Sequence, residues 1–129
     1  MNEEQHPLRN LGTEPAEVCM VMTTLDSQAA AESLAGDLLD AHLAACVQMH
    51  AVQSFYVWQG ERQQSAEHLL LIKTTLARYP ALEAFIEARH PYDTPEILCL
   101  PVLAGSGPYL AWVAAQTQAK TQEKSQAKT

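Results

Sequence analysis

The sequence predicts an α+β domain of the ferredoxin-like, split βαβ type: order βαββαβ with an extra C-terminal helix. Three observations predict it. Short apolar runs of strand character are interleaved with two stretches of helical period. The second and third runs follow one another with only a polar turn between them. Prolines fall where a helix of this order should begin and end, at Pro80 and Pro91.

The first strand is VCMVMTTL (18–25), an apolar run rich in valine and threonine. Asp26 is the expected cap of the helix that follows to about His42. Ala31, Leu34, Ala35 and Leu38 give that helix one apolar face. AACVQMHAVQSFYVWQG (44–60) reads as a long second strand whose alternation shifts at Val52, as a bulge would cause. The turn QGERQQS leads to a third strand, AEHLLLIKT (66–74).

A second helix is expected over about Leu76–Arg89, with Pro80 near its start, where a missing N–H costs nothing. Leu82, Phe85 and Ile86 form its inner face and Arg89 its edge. EILCLPV (96–102) is the fourth strand, and YLAWVAAQT (109–117) the final helix, with Leu110, Val113 and Ala114 on one face. Residues 1–16 and 117–129 are polar and read as disordered tails, leaving one domain over 17–116. With both main helices on one side of the sheet, the other side needs a partner, and self-association is the simplest one.

Composition removes several function classes. A net charge of −7 opposes nucleic-acid binding, since nothing offsets phosphate repulsion. The first fifteen residues lack a signal-peptide core, and no apolar run approaches the ~20 residues that span a bilayer. Three widely spaced cysteines, Cys19, Cys46 and Cys99, do not suggest a disulfide framework. The expectation is a cytoplasmic protein with neither membrane nor nucleic-acid partners.

LAACVQ (43–48), FYVWQG (55–60), LLLIKTT (69–75), HPYDTPEI (90–97) and YLAWV (109–113) occur in an order and spacing that resembles the CutA, or divalent-cation tolerance, family over about residues 18–116. The resemblance implies a tight homotrimer with sheet faces packed inside, and a link to metal-ion tolerance, with copper bound in some members. It also implies a copper site whose positions fall here on Met22, Arg89 and His90. Only His90 keeps the ligand type. Cys19 does not replace the missing thiol, because an odd spacing points it to the face opposite Met22. Met22 and His90 suit Cu(I), yet two ligands beside a guanidinium make a poor site.

HPYDTPEI (90–97) therefore has two readings. His90 is either a ligand or an imidazole that bonds backbone at a helix end, and the second is favoured. Tyr92, Asp93 and Glu96 could supply acid–base chemistry, but Asp-Thr-Pro is also ordinary turn chemistry, and structure is favoured. Lys73 and Arg89 join Tyr92 and Glu96 as residues expected at an inter-subunit cleft. Tyr56, Trp58 and Trp112 read as core or interface anchors, Met20 and Met22 as core packing, and Cys46 and Cys99 as small buried hydrophobes. No nucleophile with a neighbouring base and no phosphate loop is present. The expected function is a non-enzymatic trimer of metal-ion tolerance that requires no cofactor and binds copper or another divalent cation weakly. The alternatives are a structural scaffold with an indirect metal phenotype, or a small-ligand or signalling trimer of the PII-like type.

Overall fold

A computed structural model describes residues 17–118. The element order is β1 (Val18–Leu25), α1 (Gln28–Asp40), β2 (Cys46–Trp58), β3 (Glu61–Thr75), α2 (Tyr79–Arg89), β4 (Leu98–Pro101) and α3 (Gly107–Gln116). The four strands form one antiparallel sheet in the order β2-β3-β1-β4. Each βαβ unit is thus split by a strand of the other: β3 lies between β1 and β2, and β1 between β3 and β4.

Strand parity sorts the side chains into two faces. Cys19, Val21, Leu25, Leu70 and Ile72 point to the helix-covered side, where they pack with Ala31, Leu34 and Leu38 of α1 and Leu82 and Ile86 of α2. Each of these side chains is at most 5% exposed, so this layer is the hydrophobic core. Met20, Met22, Leu69 and Leu71 are half-buried on the other face, beside the exposed Leu98 and Leu100. Met20 and Met22 are therefore not core residues, contrary to the sequence expectation; alternation carries them to the side away from α1 and α2. The short α3 packs against β1 and β3. Its Val113 is fully buried, and its Tyr109 reaches Cys46 on the second face.

Several boundaries move for identifiable reasons. Ser27, not Asp26, caps α1: its Oγ accepts the Ala30 N–H at 3.1 Å. The same helix ends in a Schellman arrangement, with Leu43 N–H to Leu38 O and His42 N–H to Leu39 O, and His42 in the left-handed region at φ 59°. The expected loop at QGERQQS is only a two-residue turn, Gln59-Gly60, with both φ values positive (53° and 80°) as a type I′ hairpin turn requires. β2 and β3 then pair without interruption from Cys46↔Lys73 to Trp58↔Glu61, so the bulge expected at Val52 is absent. β1 reaches only as far as His68, and the β2–β3 hairpin continues past it as a two-stranded arm.

α2 starts at Tyr79 rather than Leu76, with Pro80 in its first turn. β4 starts at Leu98, which leaves Glu96 outside the strand. Thr117, assigned to the C-terminal tail from sequence, caps α3 instead: it is 2% exposed and donates through Oγ1 to Val113 O at 2.9 Å. Residues 1–16 and 119–129 of the expected tails lie outside the described residues.

Candidate functional site

The corner after α2 places His90 first. Its backbone N–H closes the helix on Ile86 O at 2.8 Å. Its ring does not bond those last carbonyls. Nε2 lies 2.7 Å from Thr24 O at the end of β1, and Nδ1 accepts the Tyr92 N–H at 3.1 Å. A carbonyl only accepts, so Nε2 carries the proton and the neutral tautomer is fixed. Both nitrogens are therefore in use. Among the described residues, no group of three His, Cys, Asp or Glu side chains is placed to hold a metal ion. Met22, Arg89 and His90 do not fit a copper centre: the imidazole would have to release a backbone partner, and Arg89 lies elsewhere, its guanidinium 3.5 Å over the Phe85 ring.

Tyr92 is the pivot of the next layer. Its ring meets His90 edge-on with centroids 4.7 Å apart, and its hydroxyl donates to Glu67 Oε2 at 2.7 Å. Glu67 is only 7% exposed despite its charge. Burial, then the hydrogen bond and charge of Glu67, push the phenol well above the usual tyrosine range. That shift runs away from neutrality, so it does not prepare Tyr92 for proton transfer at physiological pH.

Around this pair opens a cleft of about 950 Å³. Thr24, Asp26, Glu67, Tyr92 and the 93–96 loop form one side, and Phe55, Tyr56 and Trp58 of the arm form the other. This cleft lies within one chain; of the residues expected at an inter-subunit cleft, Tyr92 and Glu96 line it. Lys73 and Arg89 are not: Lys73 bonds Gln48 Oε1 on the neighbouring strand. Glu67 was missed by sequence reasoning. Its only signal was a carboxylate opening an apolar strand, and its partner lies 25 residues away. Tyr56, Trp58 and Trp112 are 43–46% exposed, so they are not core residues of this chain.

Residues 19–116 match the family described as "CutA1 divalent ion tolerance protein". The chain belongs to the CutA1 family. A divalent-cation tolerance protein CutA from Pectobacterium atrosepticum is 40% identical over 95 residues, which is 73% of this chain and 86% of the relative. The solved structure of the divalent cation tolerance protein from Thermus thermophilus superposes with a TM-score of 0.76 at 39% identity, covering 78% of this chain and 99% of that one. A structure named as a periplasmic divalent cation tolerance protein, CutA from Archaeoglobus fulgidus, gives a TM-score of 0.77 at 29% identity, with 78% and 99% covered. The CutA1 names denote tolerance proteins rather than enzymes. Among the described residues, no helix is long and apolar enough to cross a membrane.

Proposed function

We propose that this CutA1 chain works as a non-enzymatic, ferredoxin-like homotrimer in divalent-cation tolerance or response, with copper association weak and not centred on His90. One observation carries the reading: the chain leaves apolar side chains bare in two separate places. Leu98 (53% exposed) and Leu100 lie on the sheet face that α1 and α2 do not cover, and Phe55 (71%), Val57 and Trp58 lie on the arm. Exposed apolar side chains on an uncovered sheet face and on an unsupported arm favour burial against copies of the chain. The upward shift of Tyr92 and the satisfied ring of His90 support a role without catalysis. Three free thiols support a reducing, cytoplasmic setting, and cell fractionation tests it against the periplasmic relative.

Light scattering of the purified chain at micromolar concentration tests the assembly; a stable monomer ends this reading. Copper competition titrations on the parent and on His90→Ala test the corner. Weak association that the substitution leaves unchanged is expected, and tight binding lost in the variant overturns it. The scaffold alternative predicts the same trimer and a copper sensitivity that changes on gene deletion, with no copper bound to the purified chain.

The cleft beside Glu67 and Tyr92 favours a second reading, a small-ligand trimer, because aromatic walls with one buried carboxylate suit a compact polar ligand. The PII-like version of it is disfavoured. Such regulators use a long loop between the second and third strands, and here that connection is the Gln59-Gly60 turn.

A further inference from the structure

We propose that the cleft beside Glu67 binds an aliphatic diamine, with one ammonium on the Glu67 carboxylate and the other on the acidic loop after α2. The inference rests on the small-ligand reading of this cleft and adds the ligand's chemical class to it. Four carboxylates line the cleft, from Asp26, Glu67, Asp93 and Glu96, and its described lining holds no lysine or arginine. Glu67 matters most. It is 7% exposed, and the Tyr92 hydroxyl donates to its Oε2. Oε1 has no hydrogen-bond partner among the described residues, and it is not sealed in the core, so it opens to the cleft. A carboxylate offers about four acceptor positions on its two oxygens, so room for an N–H donor remains. A buried charge left short of partners is costly, and an incoming cation offsets that cost.

Two observations select an organic cation over a metal ion. The four carboxylates share one cleft, yet no three His, Cys, Asp or Glu among the described residues converge to hold a metal. Dispersed carboxylates suit a charge that is itself divided, with an N–H head at each end of a chain. The facing wall is aromatic, with Tyr56 45% exposed and Trp58 beside it. Ring faces attract an ammonium and cover the methylenes behind it, whereas a hydrated metal ion gains little from them.

Strand register lays these groups along one track. Glu67, Ser65 and Gln63 share a face of β3, and on β2 Ser54 stands opposite Ser65 and Tyr56 opposite Gln63. The Tyr56 row is ~13 Å from the Glu67 row at about 3.3 Å per residue. Ser65 Oγ lies 3.5 Å from the Tyr56 hydroxyl, however, so that ring leans back toward Glu67. Burial first, then Glu67 and Asp26, hold the Tyr92 phenol above its usual range, so the potential at the inner end is negative. The two ends contribute unequally. Asp93 and Glu96 are exposed, where an ion pair contributes little, and Glu67 is not. Trp58 stands outermost, in the row beside the turn, and remains available to the assembly.

Isothermal titration of the full chain with 1,5-diaminopentane at low salt tests the site. One molecule per chain with a Kd below ~1 mM is expected. 1,5-Pentanediol, the same chain without charge, should give no binding, and calcium chloride at equal concentration should not displace the diamine. Glu67→Gln keeps an acceptor for Tyr92 and should weaken binding ~10- to 100-fold. Tyr56→Leu should weaken it ~5-fold, and Glu96→Gln by less than that. Glu32→Gln, on α1 and outside the cleft, should leave it unchanged. Equal binding by Glu67→Gln and the parent overturns the proposal, and so does displacement by calcium. Tyr56 is half-exposed, so its variant gives the answer even where Glu67→Gln does not fold. Binding of the diol as tightly as the diamine keeps the small-ligand reading and overturns the cation. No binding of either probe overturns both. Light scattering on the same samples reads the assembly separately, and a monomer that binds the diamine leaves this inference standing.

Discussion

The hydroxyl of Tyr92 stands 2.7 Å from Glu67 Oε2 and ties the loop after α2 to the base of the β2–β3 arm. The carboxylate it satisfies is nearly buried and has no other hydrogen-bond donor among the contacts described. A buried acceptor stripped of its partner costs about 1–3 kcal/mol. Tyr92→Phe should therefore destabilise the fold by about that amount in urea unfolding. Combining it with Glu67→Leu should recover part of the loss, because both polar groups are then gone. Additive losses in the double variant would show that the bond contributes little.

The tyrosines also give an alkaline signature. Burial, with Glu83 second, raises Tyr79 from 10.0 to about 12, and Tyr92 moves in the same direction. Above pH 10 the unfolded phenols lose protons that the folded ones keep, so the unfolded state binds fewer protons and stability falls as pH rises. This contribution is complete below pH 10 and is lost through about pH 12. Urea midpoints across that window should fall less steeply for Tyr79→Phe and Tyr92→Phe than for the parent; identical slopes would place the effect elsewhere.

Gly60 turns the arm at φ 80° with nothing within 4 Å of a would-be Cβ. Gly60→Ala should cost ~1–2 kcal/mol from backbone conformation alone. Since no clash is involved, Gly60→Asn should lose less, because Asn tolerates this region. Equal losses in circular-dichroism melts would point to a contact rather than the backbone.

Trp58 ends β2 at 46% exposure. On the trimer reading, Trp58→Ala should raise the dissociation constant at least ~10-fold, the scale of an aromatic anchor at an interface. Sedimentation over a concentration series reads it, and an unchanged constant would assign the ring to its own chain.

What the sequence revealed follows from where burial imposes a period. α1 was legible because Ala31, Leu34 and Leu38 meet a core on one side only, and β1 because its run is flanked by turn chemistry. β2 was misread at Val52 for a related reason. Beyond that residue neither β1 nor the two main helices cover the hairpin, so apolar and polar positions no longer report inside and outside. In the candidate site, Tyr92 and Glu96 were found because they share one short motif. Glu67 needed the long-range register, and the saturation of His90 depended on Thr24, 66 residues away.

The arm has one more consequence. From Val52↔Glu67 to Trp58↔Glu61 it is a ribbon of two strands with no third alongside, so both of its edges carry unpaired backbone N–H and C=O groups. An isolated ribbon is marginal in water, yet its tight turn lets it zip within microseconds. A newly made chain thus presents sticky edges before anything shields them. Its fate becomes a race set by chain concentration, in which correct partners compete with random strand addition, and Glu61 and Arg62 near the tip act as the charged gatekeepers.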